Sequence, residues 1–151
     1  MIVRRIEPGD ENSLIEMGQR MWEESPRFNA HPLSIEKLVE LAKVIHTSPT
    51  VECFVAQYKN KIIGSWIGFQ AALWYSNDTT VSDLVFYVDV EHRGSSAAFK
   101  LIKSAENWAK SIKANSISVG ISSGIDTEKT TCFFEKMGYT HGATLVTKNV
   151  W

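Results

Sequence analysis

Surplus charge, cysteine and long apolar runs are all scarce in this chain, and each scarcity removes a class of function. Lys and Arg number 16 against 17 Asp and Glu, a formal net charge of −1 over 151 residues. A protein held to nucleic acid by phosphate neutralisation needs a basic face, so no nucleic-acid partner is expected. The 2 cysteines, Cys53 and Cys132, lie far apart without C-x-x-C spacing, which argues against a zinc site or a disulfide framework. Both fall in apolar runs and are expected to be buried free thiols. His31, His46, His92 and His141 show no ligand spacing, and no metal is assigned. No apolar run approaches the roughly 20 residues of a membrane span. The opening MIVRRIEPGD is too short and too charged for a signal peptide. A cytoplasmic, reducing setting away from membranes is therefore the expectation.

Repeats, linkers and low-complexity stretches are also missing. With 44% hydrophobic residues, residues 1–151 should form one domain around a sizeable core. Periodicity supplies the layout. Met1 to Glu7 reads as a strand ending at Pro8-Gly9, and Asp10 is placed to cap a helix through Glu24 with Leu14, Met17, Gly18 and Met21 on one face. The stretch from Ser25 to Pro32 breaks it, and Ser34 caps a second helix with Leu38, Leu41, Ala42 and Ile45 inward. VECFVAQY and KIIGSWIGFQAALWY form a hairpin about Lys59-Asn60, and Asn77-Asp78 leads to a strand from Thr79 to Val90. A helix after Arg93 buries Ala97, Leu101, Ala105, Trp108 and Ile112 while Lys100, Lys103 and Lys110 face outward. SISVGIS is a further strand, Asp126 to Met137 a last helix, and Thr144 to Trp151 a closing strand. The fold class is mixed α/β: one sheet with helices on both faces.

The passage VFYVDVEHRGSSAAFKLIKSAENWAKSIK carries the chemistry. A helix that begins directly after a strand aims unpaired N–H groups at whatever lies beyond the strand end. Its dipole adds roughly half a positive charge there. Gly94, Ser95, Ser96, Ala97 and Ala98 are small, so a ligand could approach the main chain. The turn reads as a pyrophosphate cradle; the plain alternative is a strand–helix connection packed closely by small residues.

The succession of elements, the turn EHRGSSAA and the later FFEKMGYTHGATLVTK together resemble the GNAT superfamily of N-acetyltransferases, over nearly the whole chain. The superfamily's acetyl-CoA motif is Arg or Gln, two residues, Gly, one residue, then Gly or Ala. Arg93 and Ala98 fit it, and Ser96 stands at the first glycine. EESPRF, EHRGSSAA and TKNV look most like members carried by phages and prophages. The resemblance implies a central, mostly antiparallel twisted sheet splayed in a V, with acetyl-CoA in the split. Its pantetheine would bond the strand at Phe86, Tyr87 and Val88, and its diphosphate would sit on the amides of Arg93 to Ala98.

The implied reaction moves an acetyl group from the thioester to a primary amine. Of order one alkylamine in a thousand is unprotonated near neutrality, so a base is needed. Asp83, early in the central strand, is the candidate; its other reading is a strand-face aspartate bonded to a neighbouring loop. The tyrosine that protonates the thiolate in the family pattern is replaced by Phe134, which is expected to pack on the pantetheine or the core. Tyr139, Tyr87 or solvent could serve instead, or the thiolate could leave unaided; Tyr139 also fits as a ring filling a gap between the last helix and the final strand. The resemblance also implies a coenzyme contact from Ser122 or Ser123, in the loop flanking the split. Glu24, Ser25 and Phe28, with Trp74 and Tyr75, are the candidate acceptor residues. Two adjacent carboxylates, Glu23 and Glu24, beside an aromatic ring could draw in a cationic amine. Five tryptophans, Trp151 among them, suit a homodimer.

Two rivals bear on function. Gly120-Ile121-Ser122-Ser123-Gly124 matches a serine-hydrolase elbow, with Asp126 and His141 following in order. Asp126 is too close to Ser122, and the chain too nearly finished, for a triad. The other rival is a domain of this fold that holds acyl-CoA without turnover.

Overall fold

The computed structural model describes residues 1–150. Five strands form one sheet in the order β1 (Ile2–Arg5), β2 (Val51–Tyr58), β3 (Lys61–Ala72), β4 (Thr79–Val88) and β5 (Ser116–Ser118). All neighbours are antiparallel except β4 and β5, which run parallel. Helices α1 (Glu11–Glu24) and α2 (Ile35–Thr47) precede β2, α3 (Ala97–Ser111) joins β4 to β5, and α4 (Thr127–Lys136) follows. No helix among the described residues is long and apolar enough to cross a membrane.

The two faces of the sheet bury separate cores. Leu14, Met17 and Met21 of α1 and Ile45 of α2 pack with Val55, Ile67 and Tyr87 on one face. Leu101, Ile102, Ala105 and Trp108 of α3 pack with Trp66 and Phe134 on the other. Ser34 caps α2 as its sequence implied, accepting from the Lys37 N–H at 3.3 Å. Asp10 stands at the start of α1 but caps nothing. Its carboxylate instead accepts from the Arg4 guanidinium at 2.7 and 3.1 Å and from the Glu7 N–H, and Arg4 holds its pKa below the usual range.

Register along β4 carries the functional geometry. Ile67 pairs with Val85 but Gly68 with Asp83, so Leu84 is an extra residue and β4 bulges there. Gly68 permits this: a Cβ there would stand 2.2 Å from the Trp66 ring. Beyond the bulge, β4 loses its neighbour on the other side. Pairing with β5 covers only Thr80 to Ser82, and the two segments part to form a V.

Several boundaries differ from expectation. The first strand is confined to Ile2–Arg5, β3 stops at Ala72, and β4 stops at Val88, where a short 3-10 turn at Val90–His92 begins. α3 starts at Ala97, not directly after Arg93, and Ile112 lies just past its end. SISVGIS pairs only through Ser118, because the chain there leaves β4 to line the split. No strand forms between Thr144 and Val150. The alternation is present, but the adjoining sheet edge, β5, is three residues long, and Leu145, Val146 and Val150 are exposed. Trp151, in the expected closing strand and in the homodimer argument, lies outside the described residues. Cys53 is buried, whereas Cys132 sits on the exposed side of α4.

Candidate active site

Where β4 and the chain after β5 diverge, they enclose a cleft of about 560 Å³, within the usual size of a small-ligand site. The sheet closes at its apex through a side chain: Asp83 Oδ1 accepts the Gly120 N–H at 2.7 Å. Both Asp83 and Gly120 line the cleft. Burial pushes the Asp83 carboxyl above the usual carboxylate range, and the Gly120 N–H offsets part of that rise. Phe86 and Val88 follow along the strand edge, which faces the cleft without a partner strand.

At the far end lies the turn. Gly94 has φ of +81°, a conformation L side chains rarely adopt. Among the described residues, the N–H groups of Gly94, Ser96 and Ala98 make no hydrogen bond within the protein. The Arg93 and Ser95 N–H groups are already bonded, to Val90 O and His92 O, and the Ala97 N–H reaches Ser95 Oγ. The expected run of donors is thus an alternating one. Gly94, Ser95 and Ala98 border the cleft; the Ala97 side chain is buried in the core beneath, and Ser96 turns its hydroxyl toward Met1.

Arg93 and Glu24, assigned from sequence to opposite ends of the reaction, meet each other. The Glu24 carboxylate accepts from both terminal nitrogens of Arg93, at 2.5 and 2.8 Å, and from the Tyr87 hydroxyl at 2.9 Å. Arg93 Nε donates to Val88 O, and Asp126 lies 3.7 Å from Nη1. The Arg93 guanidinium holds the Glu24 carboxyl below its usual range. Burial, aided by Glu24, pushes the Tyr87 phenol up to about 12. Close by, Arg20 of α1 pairs with buried Asp89 at 2.9 Å. Three ties therefore fasten the end of α1 to the end of β4.

The remaining candidates divide. Phe134 is buried against Phe86, Phe133 and Tyr139, and with Phe133 forms an aromatic wall of the cleft. The Tyr139 hydroxyl points away, to Glu106 of α3 at 3.3 Å, and does not line the cleft. Burial raises its pKa beyond the ordinary phenol value. Phe28 borders the cleft. Ser25 is fully buried: its hydroxyl donates to Ser123 O and accepts the Phe28 N–H, which clasps two loops together. Ser123 is in the cleft wall. Trp74 and Tyr75 meet edge to face, 94% and 68% exposed, and line no part of it. They are surface residues of the β3–β4 connection, because the chain leaves the sheet at Ala72.

Sequence reasoning missed Lys129 and Thr130, which face the cleft from α4. Their signal was available, since they lie one turn before Phe133 and Phe134 on the same helical face. It also missed His92 and Met21, which no motif marks. No group of three or more His, Cys, Asp or Glu among the described residues is arranged to hold a metal.

Residues 49–141 match the family model of the acetyltransferase (GNAT) domain. No curated protein sequence matches the chain. Solved structures share its fold at low identity. AAC(6')-Iy in complex with the bisubstrate analogue CoA-S-monomethyl-acetylneamine is 12% identical with a TM-score of 0.79, over 98% of this chain and 96% of that one. The apo aminoglycoside antibiotic 6'-N-acetyltransferase AAC(6')-IG of Acinetobacter haemolyticus is 14% identical with a TM-score of 0.76, covering 99% and 97%. A transcriptional regulator from Bacillus halodurans C-125 is 16% identical with a TM-score of 0.77, covering 98% of each.

Proposed function

This chain belongs to the GNAT family of acetyl-CoA-dependent N-acetyltransferases, and from that premise we propose that it acetylates a primary amine by direct attack on the thioester in a ternary complex. One observation carries the reading: an unpartnered edge of β4 runs into the free N–H groups of Gly94, Ser96 and Ala98. The pantetheine adds to Phe86, Tyr87 and Val88 as an extra strand would. The diphosphate rests on the turn amides, with His92 and Lys129 at the rim. Asp83 takes the ammonium proton through a water, a role suited to a carboxylate whose pKa burial has raised. Tyr87, which lines the cleft and keeps its proton at neutral pH, turns its hydroxyl from Glu24 to protonate the leaving coenzyme A thiolate and recovers a proton from the nitrogen as the adduct collapses to the amide. Tyr139 fills space.

Steady release of free coenzyme A from acetyl-CoA, dependent on an added amine, is the expected result of a screen with thiol detection. Acetyl-CoA binding in calorimetry without thiol release from any amine would replace the enzyme with the non-catalytic acyl-CoA module. We also propose a cytoplasmic setting, phage- or prophage-type membership on EESPRF, EHRGSSAA and TKNV, and a homodimer on the chain's tryptophans; native mass measurement at working concentration checks the last.

A further inference from the structure

A second cavity adjoins the cleft, and its chemistry speaks to the acceptor. It lies between α1 and α2, encloses about 200 Å³, and has Ile67 and Val85 of the sheet as its floor. Leu14, Met17, Leu38 and Leu41 form its sides, and no charged side chain lines it. Trp22, Phe28 and Leu33 complete the lining. The Trp22 indole nitrogen donates to His31 O at 2.8 Å, which holds the Ser25–Leu33 loop above it. Met21 and Phe28 border both cavity and cleft, so the two spaces adjoin there.

The carboxylates at the junction already face guanidinium groups. Glu24 is covered by Arg93 and Tyr87, Asp126 faces Arg93, and Asp89 faces Arg20. Of the two carboxylates that line the cleft, Asp126 lies 3.7 Å from Arg93 and Asp83 has no cationic partner among the described residues, sufficient for one amine and not for several. A polycation would find apolar wall where its further ammonium groups need counter-charge. An apolar cavity of about 150 Å³ accepts benzene, so the space suits one ring or a short alkyl chain.

Resting on the transferase reading above, we propose that the acceptor is a monoamine with an apolar body, its hydrocarbon in the α1–α2 cavity and its nitrogen at the cleft beside Asp83. The test is a series of linear alkylamines from propylamine to hexylamine, with spermidine and an aminoglycoside for contrast. Each buried methylene contributes about 0.8 kcal/mol, so kcat/KM is expected to rise about fourfold per carbon until the cavity is filled. Leu33→Trp and Leu38→Trp, which occupy the space from loop and helix, are each expected to flatten that series while acetyl-CoA affinity holds. A flat series in the wild type, or higher kcat/KM for spermidine or the aminoglycoside than for hexylamine, overturns the proposal. Calorimetry of the same amines with coenzyme A present separates it from the reaction. Chain-length-dependent binding without thiol release keeps the cavity assignment and sinks the transferase; turnover with binding indifferent to chain length does the reverse.

Discussion

Replacing Asp83 by Asn is expected to lower kcat/KM by about 10²- to 10⁴-fold, the usual contribution of a general base, without destabilising the protein. Asn retains a carbonyl oxygen at Oδ1, so the 2.7 Å bond from the Gly120 N–H that closes the apex can persist. What disappears is the negative charge. Burial raises the Asp83 pKa above its unfolded value. The carboxylate therefore imposes a cost on the fold at high pH that vanishes once pH falls below about 3.9. D83N relieves that cost near neutrality, and its stability relative to wild type should decline toward equality in acid. Asp83→Ala is the control. It removes the acceptor from Gly120, a charge-assisted bond of about 1.5–3 kcal/mol when buried and nearer 1–2 at this half-exposed site. For a domain of this size that is a fall in Tm of about 2–8 °C. Thiol release and thermal unfolding, both followed from pH 4 to 9, read the two effects separately. D83N activity within tenfold of wild type would refute the base assignment and leave Asp83 as the pin of the V alone.

Glu24→Gln places an amide against the Arg93 guanidinium and should cost about 1–2 kcal/mol. The Glu24 pKa is lowered in the fold, so the wild-type advantage is full above about pH 4.3 and is lost as pH falls through the lowered value; a gap in chemical denaturation that persists in strong acid would contradict this. Ala98→Glu sets a carboxylate beside the free donors of the turn. It should weaken acetyl-CoA binding at least tenfold in calorimetry while the Tm moves little, and unchanged affinity would remove the diphosphate from this turn. Cys132 is exposed, whereas burial raises the Cys53 thiol pKa. One thiol per native chain should react rapidly with a disulfide reagent and the second only on unfolding; two fast thiols would contradict the core as described.

Much of the fold was legible because its signals are local. Apolar spacing on α1 and α3 named most of the buried positions, though not Ile102 and Ala109, and Ser34 fixed the start of α2. The split of the sheet could be expected only from family resemblance. It depends on where β5 stops pairing, and the residues SISVGIS give no sign that the ladder ends at Ser118. Thr144 to Val150 failed for a related reason: alternation states that a segment can be a strand, never that a neighbouring edge exists for it. Cys132 followed an apolar run, TTCFF, yet α4 presents only one side to the core, and Phe134 takes it.

Arg93 shows the same limit at the site itself. Its place in the motif marks one end of the turn, but a guanidinium presents a fixed planar fork, and here all three nitrogens are already engaged. Nε is held by Val88 O and both terminal nitrogens by Glu24. With Arg20 on Asp89, it makes the end of α1, the end of β4 and the turn one mechanical unit. The turn amides then attract an anion through oriented dipoles, which need no reorganisation when the ligand arrives. A side-chain cation there would have had to leave Glu24 first, exposing a half-buried carboxylate at the end of α1. Holding Arg93 on Glu24 thus leaves the turn to its backbone dipoles and neutralises the Glu24 carboxylate with one interaction.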